Sequence, residues 1–401
     1  MKAPDPSFTP NPKRAVYVQG IIDQDLIYRL TPQIISMQGE SRDPITAYID
    51  SSGGPVEHKS TLLRLLMAGS QLDRDPCLLI TVALSLAASA AADLLSAGFY
   101  SLAHPTSLIM YHGVRGMTSQ ASLTAEQTYR LAQDLREGNE GFAVQLARDT
   151  EERFFFRFMS IYRLLPAVRA KGTVTGGTSD LDAFISLLIE KTSDSANAVL
   201  MSAYQRYLRY SELLNCVVKK WQKGRSNKTF VQFEVDQIKA IVDFEVKSNK
   251  KKKNWKFETE GIHRLTDDFF LVNQFLTFFQ GERFKELALR WGRFLLTPSE
   301  TLDIDNASPK DKDQKLLDIV GPRLRPVFSY FMALCHVLQQ GDNYLSARDA
   351  FWLGLIDEVI GVSDLPTYRL FLEEARTVQK KTRPKATNGK GSVGAKSKKA
   401  G

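Results

Sequence analysis

The sequence predicts an α/β fold in which alternating strands and helices are followed by a long, mainly helical region. Between residues 15 and 115, short runs of β-branched and aromatic residues alternate with segments whose apolar residues recur at helical spacing. After about residue 150 the chain is mostly charged, with aromatic clusters at helical spacing. Strands that alternate with helices in this way are typical of a layered fold with right-handed crossovers.

The individual elements follow from local patterns in chain order. Small residues and a serine mark the start of the third helix, and a polar stretch at 298–314 favours a loop. The predicted strands are 15–20, 45–50, 78–84, 99–103 and 107–112; the predicted helices are 22–38, 56–72, 89–98, 122–148 and 328–340.

The composition indicates a cytoplasmic protein. Hydrophobic residues make up 43% of the 401 residues, but no segment reaches the roughly 18 uninterrupted apolar residues of a membrane span. The N-terminus has no apolar run of the signal-peptide kind. The chain has three cysteines, Cys77, Cys216 and Cys335. They lie far apart in the sequence, which argues against a disulfide framework or a cysteine zinc site. We therefore expect no membrane association and no metal.

The net charge of +8 belongs to one segment of the chain. Eight basic residues and no acidic one follow position 379, so the rest of the chain is neutral overall. Such a tail is expected to be disordered and solubilising. Weak nucleic-acid binding by this tail, or by Lys250–Lys253, is the alternative, although no nucleic-acid-binding module is recognisable. The basic residues are Lys380, Lys381, Arg383, Lys385, Lys390, Lys396, Lys398 and Lys399.

Four local features could together supply serine-hydrolase chemistry, which needs a nucleophile, a base, an orienting carboxylate and oxyanion donors. Ser89 stands between alanines where a strand leads into a helix, and His112 ends an apolar strand. Gly53–Gly54 ends another strand, and Asp342 lies just before a helix start. Individually each has a commoner explanation, such as a helix cap, a structural histidine or a turn.

Four sequence blocks, in order, resemble the proteolytic subunit of the Clp protease, which has the Clp/crotonase fold. The blocks are ITAYIDSSGGPV, with its glycine pair; LSLAASAAADLLSAG, around the serine; HPTSLIMYHG, ending in the histidine; and DNYLSARDAFWLGLIDEVI, which opens with the aspartate. The resemblance covers roughly residues 15–150 and 325–362. It implies a repeated β-α-β core, with a large mainly helical insertion in the region that forms the handle in this family.

The resemblance also implies a site. Ser89 would be the nucleophile, His112 the general base and Asp342 the residue that orients the imidazole, while the amides of Gly54 and Ala90 would form the oxyanion hole. Asp149, within ARDTEERFFFRFMS, is a rival for the acid. Asp342 is preferred because only there does the GLIDEV strand follow.

Several positions depart from the family pattern. Ser52 replaces a proline, Ser85 or Leu86 a glycine, and Gly113–Val114 a Gln-Pro pair, while Asp93 places a charge in a normally apolar helix.

The expected organisation has five parts: a flexible arm (1–14), the first part of the core (15–150), a helical insertion (151–324), the second part of the core (325–375) and a disordered basic tail (376–401). The expected partners are polypeptide substrates, other copies or relatives in a heptameric ring, possibly two rings stacked, and an AAA+ unfoldase. No cofactor is expected in this chain, since ATP would be used by the unfoldase. A catalytically weak or inactive Clp-like scaffold or regulatory subunit is the main alternative, and an acyl-CoA enzyme of the crotonase type is a weaker one.

Overall fold

The computed structural model describes residues 9–68, 77–115, 124–162, 179–208 and 282–369. The predicted basic tail, the lysine run Lys250–Lys253 and most of the predicted N-terminal arm lie outside these ranges.

The first part of the chain alternates strands and helices as the sequence predicts. Its elements are β1 (Ala15–Ile21), α1 (Gln24–Glu40), β2 (Ile45–Gly53), α2 (Val56–Met67), β3 (Leu79–Ala88), α3 (Ala90–Ser96), β4 (Tyr100–Ala103) and β5 (Leu108–His112).

In the described ranges after residue 124, helices dominate until the chain returns to the sheet. These elements are α4 (Ala125–Tyr162), α5 (Asp180–Lys191), α6 (194–208), α7 (Glu282–Trp291), α8 (Pro298–Asp305), α9 (Lys312–Leu338), β6 (Asp342–Ser346), α10 (Ala347–Trp352) and β7 (Glu358–Val359). None of the helices in the described ranges combines the length and apolar character needed to cross a membrane.

The sheet branches at β3, and this branching positions the candidate site. The main path runs β1-β2-β3-β4-β7 with all neighbours parallel. The first half of β3 pairs with β4, whereas its last three residues pair in parallel with β5. Strand β5 pairs on its other side with β6, in the antiparallel sense. The carboxyl ends of β3 and β5 therefore meet at one edge. Ser89 directly follows β3, and His112 is the last residue of β5.

The α/β part and the helical region contribute to the same hydrophobic core. Phe154 stacks on Phe331 with ring centroids 4.4 Å apart, and Phe155 stacks on Phe328 at 5.5 Å, so α4 packs against α9. The domain limits expected at 150/151 and 324/325 fall inside α4 and α9 respectively. Each of these helices therefore runs without a break across the expected boundary.

The prediction of a loop at 298–314 is wrong, because this segment contains α8 and the start of α9. Thr297 and Glu300 form a reciprocal capping box, and Pro298 occupies the first helical position, where its missing N–H costs nothing. Arg323 bonds to Glu300 and holds the pKa of that carboxyl at about 2. Polar composition here reflects a solvent-exposed helix, not a loop.

Candidate active site

Ser89 occupies a strained turn between β3 and α3. Its backbone has φ 57° and ψ −127°, and among the described residues it is the only one other than glycine with a positive φ. Its N–H donates to the carbonyl of Met110 at 2.7 Å, and its carbonyl accepts from the Ala92 N–H at 2.9 Å. A conformation of this kind costs about 1–3 kcal/mol and is concentrated at functional sites. In α/β-hydrolases a strained strand-to-helix turn presents the serine nucleophile.

Gly53 makes the turn at Ser89 possible. A Cβ added to Gly53 would lie 2.6 Å from the Ala88 carbonyl oxygen and 2.8 Å from the Ser89 Cβ, and its own φ is +94°. No other residue type fits both conditions. The sequence predicts a site role for the pair Gly53–Gly54 and an oxyanion amide at Gly54, but it does not predict the contact of Gly53 with the Ser89 turn.

The amides of Gly54 and Ala90 flank this turn. Ala90 is the first residue of α3, so its N–H has no acceptor within the helix. Across the described residues, neither amide donates a hydrogen bond to another protein group. Gly54 is itself fixed in place, because a Cβ there would lie 2.2 Å from the Ile22 carbonyl oxygen. Both amides are therefore free to donate to a ligand oxygen.

The sheet brings His112 and Asp342 together. His112 is the last residue of β5 and Asp342 the first of β6, and the two are directly paired in the antiparallel register. Residues paired in this way project their side chains on the same face, with Cβ atoms about 5 Å apart. Strand β5 also connects this pair to Ser89, because the carbonyl of Met110, two residues before His112, accepts the Ser89 N–H.

The side chains of these three residues are not yet hydrogen-bonded to one another. His112 Nδ1–H donates to the carbonyl of Gly113, which leaves Nε2 of a neutral imidazole as the free basic nitrogen. The Asp342 carboxylate accepts from Arg115, and both side chains of this ion pair are well exposed. Among the described residues, the Ser89 hydroxyl has no hydrogen-bond partner. Closing a triad would require Asp342 to exchange Arg115 for His112.

Asp149, the alternative candidate for the triad acid, lies in α4 and not in β6. It accepts from Gln145 Nε2 at 2.9 Å, and burial raises its pKa to about 6, with further electrostatic effects from Arg153, Asp93 and Lys59. The structure records no contact between Asp149 and His112 in the described part of the chain. The geometry therefore favours Asp342.

Asp93, the charge that departs from the family pattern, is paired. Its Oδ2 lies 3.2 Å from Lys59 Nζ, which itself lies 4.5 Å from the ring centroid of Phe142. Its Oδ1 accepts from Gln339 Nε2 at 3.2 Å. Neither partner was singled out from the sequence, where a lysine in a helix indicates only an exposed face.

A buried ion pair fixes the end of α3 to the turn before β7. Arg153 Nε lies 2.7 Å from Asp357 Oδ2, and both side chains are at most 5% exposed. Arg153 Nη1 also donates to the Ser96 carbonyl at 2.8 Å. Asp357, the aspartate of the GLIDEV run, therefore has a structural role.

Part of the chain is similar to known proteins. The family model described as Clp protease matches residues 11–153. No characterised protein in the curated set matches the chain. Among the solved structures that match is a point mutant of ClpP1 from Listeria monocytogenes, with 23% sequence identity, covering 34% of this chain and 72% of that one, at a TM-score of 0.29.

The matched segment carries β1 to β5, the glycine pair, Ser89 and His112, whereas β6, β7 and Asp342 lie outside it. The similarity to the Clp protease family is therefore a match of the strand–helix core, residues 11–153.

Proposed function

We propose that this chain is a serine endopeptidase of the Clp type, which hydrolyses peptide bonds of unfolded proteins through an acyl-enzyme. The observation that carries the proposal is the direct pairing of His112 with Asp342, at the same sheet edge as the strained turn of Ser89. This pairing supports the proposal, because acyl transfer needs a nucleophile, a base and an orienting carboxylate close to one another.

The residues would divide the reaction as follows. Ser89 Oγ attacks the peptide carbonyl carbon while His112 Nε2 takes the hydroxyl proton, and the Gly54 and Ala90 amides bind the resulting oxyanion. His112 then gives the proton to the leaving amine, and the acyl-enzyme forms. Water, losing a proton to His112, releases the carboxylic acid product and restores Ser89. Asp342 holds the imidazole and stabilises its protonated form.

An inactive scaffold on the same fold is the second candidate, and a specific observation favours it. Asp342 is bonded to Arg115, and His112 to a backbone carbonyl. A chain that keeps these contacts under all conditions would bind partners without cleaving them.

Hydrolysis of casein or a fluorogenic peptide by the wild type and by Ser89→Ala tests the assignment. We expect turnover by the wild type and a loss of at least about 10³-fold in the variant. Equal rates for the two proteins would exclude Ser89 as the nucleophile.

We further propose that the chain works in a ring of seven subunits, possibly two rings stacked, and receives unfolded polypeptides from an AAA+ unfoldase. The support is the similarity of the core to the Clp protease family. Light scattering on the purified protein tests this: a mass of seven or fourteen subunits supports the ring, and a monomer at micromolar concentration contradicts it.

A further inference from the structure

Asp93 lies at a point where three elements of the candidate site meet. Each of its carboxylate oxygens has one partner at 3.2 Å: Lys59 on α2 and Gln339 at the end of α9. The Lys59 side chain is only 8% exposed and that of Asp93 20%. The carboxylate is therefore held from two sides in a largely dry environment.

Asp93 is directly connected to the nucleophile turn. Its own N–H donates to the Ser89 carbonyl at 3.2 Å, in the first turn of α3. A shift of the Asp93 side chain toward or away from its partners would therefore move the short α3 helix, which begins immediately after Ser89.

Gln339 connects the same carboxylate to the base and the acid. Gln339 is 2% exposed. Its backbone carbonyl packs on Gly113, because a Cβ added to Gly113 would lie 2.8 Å from the Gln339 carbonyl oxygen. Gly113 directly follows His112, and Gly113 O is the acceptor of His112 Nδ1. Asp342 follows Gln339 by three residues. Gln339 therefore contacts the turn that holds His112 and precedes the strand that supplies Asp342.

We infer that Asp93, held by Lys59, is a positioning residue that sets the placement of Ser89 relative to His112 and Asp342 through its hydrogen bond with Gln339. This inference rests on the proposed peptidase function. A buried ion pair can often be replaced by apolar residues at little net cost in stability. An apolar side chain at position 93, however, cannot accept the hydrogen bond from Gln339.

The test uses two variants of the full chain, Lys59→Met/Asp93→Leu and Gln339→Met. We expect each to lower kcat and the rate constant of fluorophosphonate labelling at Ser89 by about 10–100-fold, with KM within about 2-fold, because small misplacements of reacting groups are that costly. Combining all three substitutions should give no further loss, because the same connection is broken each time.

Two further variants separate positioning from stability. Asp93→Asn keeps an oxygen for Gln339 and should retain most of the labelling rate even if its thermal midpoint falls. The control Glu300→Leu/Arg323→Met removes an ion pair between α8 and α9 and should change neither kcat nor labelling. If the apolar double variant fails to fold, Asp93→Asn and Gln339→Met decide the question.

Unchanged kcat in the Lys59/Asp93 double variant, or in Gln339→Met, would overturn the inference, as would losses that multiply in the triple variant. A wild type that shows neither hydrolysis nor Ser89 labelling gives a different result, because it removes the proposed function itself and the positioning role with it.

Discussion

His112 and Asp342 lie directly opposite each other in the β5–β6 pair, yet each side chain is bonded to another group. The backbone fixes their proximity, because strand register does not depend on side-chain rotamers. A hydrogen bond between the two side chains would need His112 to leave the Gly113 carbonyl and Asp342 to leave Arg115. The proposed triad is therefore paired by the backbone but not closed by hydrogen bonds in this structure.

Asp342→Asn should abolish activity, whereas Asp149→Asn should not. An amide at 342 cannot stabilise the protonated imidazole, and a loss of about 10⁴-fold is typical of such a change in a serine protease triad. Rates of fluorophosphonate labelling at Ser89 measure both variants in parallel. A large loss in Asp149→Asn with little change in Asp342→Asn would reverse the assignment of the acid.

Arg115→Gln should raise the labelling rate by a few-fold. The substitution removes the cation that binds Asp342 and leaves the carboxylate available to His112. Because the Arg115 and Asp342 side chains are 62% and 47% exposed, salt should weaken this ion pair, and 0.5 M NaCl should accelerate the wild type more than the variant. A slower Arg115→Gln variant would show that the arginine supports the site instead of blocking it.

Gly53→Ala should eliminate labelling at Ser89. The new methyl group would meet the Ala88 carbonyl and the Ser89 Cβ, at 2.6 and 2.8 Å, and would strain a backbone with φ +94°. Ser89 could then keep its turn only if β2 moved away.

Gly20→Ala is the matched control for this change. Gly20 has a similar φ of +81°, but no atom lies within 4 Å of the position its Cβ would take. It should lose about 1–2 kcal/mol from the positive φ alone and keep its labelling rate. Equal labelling by the two alanine variants would show that close contact with Ser89 is unimportant.

Asp149→Asn should stabilise the fold at pH 7.5 more than at pH 4.5. Burial raises the pKa of Asp149 from 3.8 to about 6, so between these values the folded chain binds a proton that the unfolded chain has lost. Folding stability therefore falls as pH rises through this window, by at most about 3 kcal/mol, and the asparagine removes the loss.

Denaturant unfolding at the two pH values measures this difference, and Asp318→Asn is its control. Asp318 is exposed and accepts from Gln314, four residues earlier, just as Asp149 accepts from Gln145. It should change stability by no more than about 0.5 kcal/mol at either pH. A gain for Asp149→Asn that is equal at both pH values would refute burial as the cause.

Much of the α/β part was predictable because its elements are local. The strands at β1, β2, β4 and β5 follow from short β-rich runs bounded by turn residues, and Ser89 and His112 follow from contiguous blocks. The loop predicted at 298–314 is wrong because polar composition does not distinguish a loop from an exposed helix, whereas Thr297, Pro298 and Glu300 mark a helix start.

What the sequence could not supply were relationships across distance. The positive φ of Ser89, the fit of Gly53 beneath it and the pairing of Lys59 with Asp93 each depend on which elements the fold brings together. The choice of Asp342 over Asp149 depended on a motif, and the β5–β6 register gives it a physical basis.

Reaction with a fluorophosphonate probe, followed by peptide mapping, tests the central claim most directly. The account predicts one modified residue, Ser89, in the wild type, with no labelling in Ser89→Ala and strong reduction in His112→Ala. A folded wild type that remains unlabelled at pH 8, or is labelled at another serine, would contradict it.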